Sequence, residues 1–406
     1  FYRCSRGFFH FFLFFLFFFF FWPFLLALGG LSPLGCPQAG PRVVTTQDFI
    51  PQPYTEIAQD ASVSYQSPSN IALVKYWGKY GEQLPQNASV SFTLSKCRSE
   101  TTLHYEKKTK GGFEFEVYLD GVRAEGFEPK IHKFFQRVAQ YIPFIDAYRF
   151  VIKTQNTFPH SSGIASSASG MSALAMCLVA LEAKLNKTNT TSTQNKEYQL
   201  QKASFLARLG SGSAARSING PLVVWGAHPK IKGSSNLFGT PYPYKVHENF
   251  SKYHDTILLV DKAQKQVSST VGHDLMHNNP YATQRFEKAN SNLEQLVSIF
   301  ESGDLDSFIA LVESEALQLH AMMMASSPYF ILMKPNTLEI LDCIWNYRKT
   351  TKSKVCFTLD AGANVHVLYP SSEKKEVHHF IKNQLSKYCK DGTYIDDVVG
   401  MGASIM

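Results

Sequence analysis

The sequence predicts an α+β fold in two domains, on three observations. Its 406 residues are enough for two ordinary hydrophobic cores. Short strand-like runs fill the region before residue 160, whereas segments at helical spacing dominate after residue 280. Strands and helices interleave without the regular strand–helix–strand alternation of a doubly wound sheet.

Residues 1–60 are set apart from that fold. The first 24 residues hold 13 phenylalanines, and only Pro23 interrupts the apolar run from Phe11 to Leu28. A signal-peptide core or a single membrane anchor has this hydropathy, but those segments mix Leu, Ala and Val rather than repeat Phe. The expectation is a leader arising from a misassigned gene start, with a membrane segment as the alternative. Residues 29–60, rich in Pro, Gly and Gln, are expected to be linker.

The first domain is expected over 61–250. Runs at 62–65, 71–77, 88–94 and 101–105 are strand-like, and 113–119 alternates before Asp120-Gly121, a hairpin turn signal. A helix is expected over 130–142, a strand over 148–154, then a small-residue loop opening an apolar helix at 171–182. A polar tract leads to a helix over 198–209 and a short strand at 222–225. The second domain, 251–406, is expected to begin with a buried strand at 256–260. Helices follow near 280–301, 304–324 and 334–348, then strands at 354–359 and 365–369 and a helix over 372–390.

Composition excludes several classes. A 44% hydrophobic, 18% charged chain is globular rather than disordered. The net charge of +7 is scattered, and the small cluster Arg348, Lys349, Lys352 and Lys354 reads as a solvated helix end, so no nucleic-acid partner is expected. Seven dispersed cysteines form no C-x-x-C pair, which points to reduced, buried thiols and a cytoplasmic setting. His273 with His277, and the pair His378-His379, lack partners at metal-ligand spacing. They are expected to be surface or partly buried histidines.

Four separated segments hold the candidate chemistry. The loop Asn156-Thr-Phe-Pro-His-Ser-Ser-Gly-Ile-Ala-Ser-Ser-Ala-Ser-Gly170 is built from small residues that let a backbone close around a ligand. The helix after it aims free N–H groups and a positive dipole end into the loop, which suits phosphate. It is neither a Walker A loop nor a dinucleotide G-x-G-x-x-G. The other three segments are Ser67-Pro-Ser-Asn-Ile-Ala-Leu-Val-Lys-Tyr-Trp-Gly-Lys79, Gly210-Ser-Gly-Ser-Ala-Ala-Arg-Ser217 and Thr358-Leu-Asp-Ala-Gly-Ala-Asn364. Each alone has an ordinary reading. Asp360 would be a turn former, Arg216 a surface cation, Lys75 a snorkelling strand residue, Trp77 a core residue, and Ser166 a helix cap.

Together and in this order, the four closely resemble the diphosphomevalonate decarboxylases of the GHMP kinase superfamily, from about Ser64 to near the C-terminus. The resemblance implies a two-domain GHMP kinase fold with a ribosomal protein S5 domain 2-like N-terminal domain and a ferredoxin-like C-terminal domain. The active site would lie in the cleft between them. It implies ATP-dependent decarboxylation of mevalonate 5-diphosphate to isopentenyl diphosphate, with ATP as co-substrate, Mg2+ as cofactor, and a homodimer with no membrane partner.

By the same resemblance, Asp360 orients or deprotonates the 3-hydroxyl and Arg216 holds the substrate carboxylate by a bidentate fork. Lys75 and Asn70 stand with them, and Tyr76, Lys79, Ser211, Ser213, Ser268 and Ser269 contact substrate. Pro159, Ser162, Gly163, Ala165, Ser166, Ser167 and Ala168 would wrap the ATP phosphates, with the Ser167 hydroxyl shared with Mg2+. Three positions depart from the family pattern: His160 in the phosphate loop, Ala215 for a frequent Cys, and Ala363 for the usual Pro. None removes the Asp/Arg/Lys set.

Overall fold

The computed structural model describes residues 43–54, 58–159, 164–186, 192–262 and 267–406. The leader and three residues named above, His160, Ser162 and Gly163, lie outside the described residues. Thr45–Met406 forms one compact unit.

An eight-stranded sheet comprises β1 (Ala61–Val74), β4 (Ser89–Lys107), β5 (Glu114–Leu119), β6 (Val122–Arg123), β7 (Tyr148–Asn156), β8 (Leu222–Trp225), β9 (Thr240–Pro241) and β14 (Ser404–Ile405). A small hairpin, β2 (Lys79–Tyr80) with β3 (Leu84–Pro85), projects from it. The expected pairs of short strands at 62–77 and 88–105 are in fact two long ones. Pro68 and the polar Ser95-Lys-Cys-Arg stretch read as breaks, but the β1–β4 pairing absorbs irregularities as register shifts at Pro68/Asn70 and Ala72/Val74. Strand structure stops at Val74, so Lys75, Tyr76 and Trp77 leave the sheet rather than continue it.

One face of this sheet is covered by α2 (Ser166–Leu185), which also packs on α3 (Thr193–Gly210), while α1 (Glu128–Val138) packs on α3. α2 is long and apolar enough to cross a membrane, but it is a buried core helix here. Part of the expected linker is folded as well. Phe49 stacks on Phe205 with centroids 4.5 Å apart, and the Tyr54 hydroxyl donates to Glu182 at 3.0 Å.

The second sheet is antiparallel throughout, in the order β11 (Cys356–Leu359), β12 (Val365–Tyr369), β10 (His254–Leu258), β13 (Tyr394–Val398). It is accompanied by α4 (Ser269–Asp274), α5 (Ala282–Ser302), α6 (Leu305–Met324), α7 (Pro335–Thr351) and α8 (Lys374–Phe380). The helix expected over 372–390 is broken: α8 passes into a π-turn, Ile381–Leu385, and a 3-10 turn, Ser386–Tyr388.

The core is continuous between the sheets. Ile71, Val90 and Phe92 share one buried cluster with Ile257, Leu293, Phe300 and Val312. That continuity fixes where the end of β1 stands relative to α6 and to the turn after β11.

Candidate active site

β1 and β11 deliver opposite charges to one place. As the chain leaves β1, the Lys75 ammonium stands 3.4 Å from the carboxylate of Asp360, on the bend after β11. Lys75 is 1% exposed, whereas the Asp360 side chain is 27% exposed and so open to a ligand. Burial pushes the Lys75 pKa down, and Asp360 is the main group opposing that shift. The ordinary reading of Lys75 as a snorkelling residue is therefore wrong; its head group is sequestered and paired.

Arg216 is also buried, not a surface cation. It lies in a 3-10 turn, Gly212–Ser217, and donates through Nε to Ser91 Oγ and through Nη1 to Ser89 Oγ, each at 2.6 Å. The guanidinium also sits 5.7 Å from the ring centre of Trp225. Burial lowers its pKa to about 10, opposed first by the charge of Asp360 and then by Tyr76. Arg216 thus remains a cation at neutral pH, within electrostatic reach of the Lys75–Asp360 pair.

Asn70 links the first segment to the third. Its side-chain amide donates to Ser217 Oγ at 2.8 Å and to the Ser213 carbonyl at 3.2 Å. The Asn70 amide nitrogen therefore holds the turn that presents Arg216. Ser213 and Ser211 are half-buried, and Ser211 Oγ is 3.3 Å from Ser167 Oγ.

Ser167 is exposed in the first turn of α2, while Ser166 and Ala165 are half-buried and Ala168 is buried. Ala165 adopts φ 40°, ψ 39°, a left-handed conformation that turns the chain into the helix. Pro159 is exposed at the other end of the loop. Ser166 is not a helix cap: Ala165 is the N-cap and makes no side-chain bond, so no side chain at the N-cap takes up the first N–H groups of α2.

Tyr76, Lys79, Ser268 and Ser269 meet at α4. Tyr76 is buried against Trp225, with centroids 4.7 Å apart, and Lys79 Nζ lies 3.7 Å from Asp274 Oδ1. Ser268 caps α4 by accepting from the Val271 N–H at 3.3 Å, with Ser269 the first helical residue. His273 departs from expectation. It is buried, with Nδ1 accepting from the Gly78 N–H at 2.9 Å.

Sequence reading missed the support behind these groups. Glu315, fully buried on α6, accepts from the Lys75 N–H at 2.9 Å and from Arg285 and Asn292. Five residues on, His320 Nε2 pairs with the Asp360 carbonyl at 3.1 Å. A glutamate in the apolar stripe formed by Leu311, Val312, Ala316 and Leu319 was the available signal. Ser89 and Ser91 were legible only as alternating strand residues.

No group of three or more His, Cys, Asp or Glu residues suited to a metal occurs among the described residues. The polar groups by the α2 N-terminus are hydroxyls, which fit a hard cation held mainly by phosphate oxygens and water, with one protein oxygen added.

Two family models match the chain in tandem. The diphosphomevalonate decarboxylase-like N-terminal domain matches residues 67–236, and the mevalonate 5-diphosphate decarboxylase C-terminal domain matches 256–400. Diphosphomevalonate decarboxylase of Ganoderma lucidum is 29% identical over 334 residues, covering 78% of this chain and 80% of that protein. Mevalonate diphosphate decarboxylase from Staphylococcus aureus superposes with TM-score 0.72 at 26% identity, covering 86% of this chain and 98% of that one. MDDEF in complex with MVAPP, AMPPCP and magnesium also reaches TM-score 0.72 at 26% identity, covering 86% and 99%. With both halves matched in order around the group formed by Lys75, Asp360 and Arg216, the chain belongs to the diphosphomevalonate decarboxylase family.

Proposed function

We propose that this protein catalyses the ATP-dependent decarboxylation of mevalonate 5-diphosphate to isopentenyl diphosphate, ADP, phosphate and CO2. The observation that supports this most is the convergence of Lys75 and Asp360, 3.4 Å apart, with buried Arg216, from three segments far apart in sequence.

In the first step the 3-hydroxyl oxygen forms a bond to the γ-phosphorus as the bond to ADP breaks, and Asp360 accepts the hydroxyl proton. Lys75 keeps Asp360 anionic and in register for that transfer. In the second step the C3–O bond breaks and its electron pair leaves with phosphate. The C1–C2 pair becomes the new double bond and CO2 departs. As the C3–O bond breaks, the leaving phosphate takes the proton held by Asp360, and the carboxylate so regenerated stabilises the positive charge developing at C3.

Arg216 holds the carboxylate until the C1–C2 bond breaks. Its fork is already fixed by Ser89 and Ser91, so little rotamer freedom remains to be lost on binding. Tyr76, Lys79, Ser211, Ser213, Ser268 and Ser269 hold the rest of the substrate, and Asn70 acts through the Arg216 turn. Pro159, Ala165, Ser166, Ser167 and Ala168 line the described part of the ATP phosphate loop, with Ser162 and Gly163 assigned to it from sequence. Mg2+, when bound, neutralises phosphate charge during transfer, and Ser167 is the residue offered as its protein ligand. Domain limits of 61–250 and 251–406, a cytoplasmic setting and a homodimer complete the proposal. The break between the two family matches and the dispersed thiols support the first two, and family resemblance supports the third.

The test is a coupled assay with ATP and, in turn, mevalonate, its 5-phosphate and its 5-diphosphate. ADP and CO2 released together from the diphosphate alone is the expected result. ADP without CO2 would replace the decarboxylase with a kinase.

A further inference from the structure

The buried imidazole of His273 has no part in the chemistry above, yet it touches every residue of the segment from Tyr76 to Gly78. Its ring lies 4.3 Å from the Tyr76 ring and 4.6 Å from the Trp77 ring, centre to centre. Its Nδ1 accepts from the Gly78 N–H at 2.9 Å. Gly78 has φ +110°, a conformation that side chains rarely adopt, and it lies past the end of β1, outside strand pairing.

Two more contacts tie α4 to the same segment. Lys79 pairs with Asp274 at 3.7 Å, and Gly272 presses so closely on Trp77 that a β-carbon there would overlap the indole. We propose that His273 is a positioning residue that latches α4 to the 76–79 segment, giving the Ser268 and Ser269 hydroxyls and the Lys79 ammonium one fixed geometry toward the substrate's diphosphate. The proposal rests on the substrate reading given above and adds a residue to it.

The latch works only with a neutral ring, because Nδ1 must present a lone pair to Gly78 and the ring proton must then sit on Nε2. The groups around the ring favour that form. Burial, then the charges of Lys79 and Arg216, hold its pKa down to about 3. Lys75 and Asp360 are anchored separately, by Glu315 and His320 on α6. Loss of the latch therefore disturbs substrate binding and spares the reacting pair.

The experiment compares wild type with His273→Leu, which keeps bulk but offers no acceptor, and His273→Asn, whose Oδ1 can replace Nδ1. Steady-state kinetics with mevalonate 5-diphosphate and ATP give KM for each and kcat. For His273→Leu the acid KM is expected to rise about tenfold or more, with ATP KM and kcat within about threefold of wild type. His273→Asn is expected to recover most of that loss. An unchanged acid KM in His273→Leu, or no recovery in His273→Asn, overturns the proposal. Nitrogen-15 NMR of the wild-type imidazole at about pH 6 decides the matter without turnover. A neutral Nε2–H ring is expected, and an imidazolium or an Nδ1–H ring overturns the latch even if the Leu variant does not fold. A wild type that turns over no mevalonate 5-diphosphate sinks the substrate reading instead, and the NMR result still judges the Gly78 contact.

Discussion

Two buried cations and a partly exposed carboxylate share one site, and each cation has different neighbours. Lys75 has Asp360 as its counter-charge, while Arg216 has two serine hydroxyls and the Trp225 face. Replacing Asp360 with Asn keeps the shape and removes the base. ADP formation should fall by about 10²- to 10⁴-fold, the usual contribution of general acid–base catalysis, while ATP binding measured by calorimetry stays near wild type.

His273 gives a stability prediction with a definite sign. Its pKa is held near 3, below the ~6.5 of an exposed imidazole. Between those values the unfolded chain binds a proton that the folded chain refuses, so stability rises with pH and is lost as pH falls through that window. The slope approaches about 1.4 kcal/mol per pH unit. Urea unfolding of wild type and His273→Leu should therefore show wild type losing roughly 2 kcal/mol relative to the variant between about pH 7 and about pH 4.5. An unchanged gap would mean the folded ring is protonated.

Lys75, Asp360 and Arg216, which the fold brings together, were legible at this scale, because Lys, Asp and Arg in small-residue surroundings stand out. His273 and Glu315 were not. Their roles depend on backbone groups of distant segments, Gly78 and Lys75, which no local pattern names.

Among elements, α6 acts as the strut of the site. Glu315 and His320 bond the Lys75 N–H and the Asp360 carbonyl respectively, so one helix sets the register of both partners of the ion pair. Glu315 itself depends on Arg285 of α5, 3% exposed, for its counter-charge. Removing one member of such a buried pair leaves the other uncompensated, so Arg285→Ala should cost about 3–5 kcal/mol in denaturant unfolding. Changing both Arg285 and Glu315 to apolar residues of similar size should recover much of that stability without restoring activity.

Element reading from sequence succeeded where periodicity was long and uninterrupted, as in α5, α6 and α7. It failed at β13 and β14, short segments after residue 390 that are defined only by pairing with β10 and β1. It also split β1 and β4, because a proline or a run of polar residues looks like an ending when the partner strand is not in view.

Across the whole molecule the two sheets are fastened by one carboxylate as well as by the shared core. Asp397 of β13 accepts from the backbone N–H groups of Ser95, Lys96 and Cys97 on β4, at 3.0, 2.8 and 2.7 Å. Asp397→Ala strands the buried Cys97 donor at about 1–3 kcal/mol, while the N–H groups of exposed Ser95 and Lys96 can turn to water, so unfolding free energy should fall by about 1–3 kcal/mol. The two-domain α+β arrangement could be read from the order of strand and helix patterns. This fastening could not, since Asp397 lies in an unremarkable Asp-Asp pair near the end of the chain.

The most direct measurement uses mevalonate 5-diphosphate carrying oxygen-18 in its 3-hydroxyl, with ATP, and follows the isotope in the released phosphate. Transfer to the hydroxyl followed by C3–O cleavage predicts one labelled oxygen in each phosphate, formed in step with CO2 and ADP. Unlabelled phosphate, its fourth oxygen drawn from water, would contradict phosphorylation at the 3-hydroxyl and with it the role assigned to Lys75, Asp360 and Arg216.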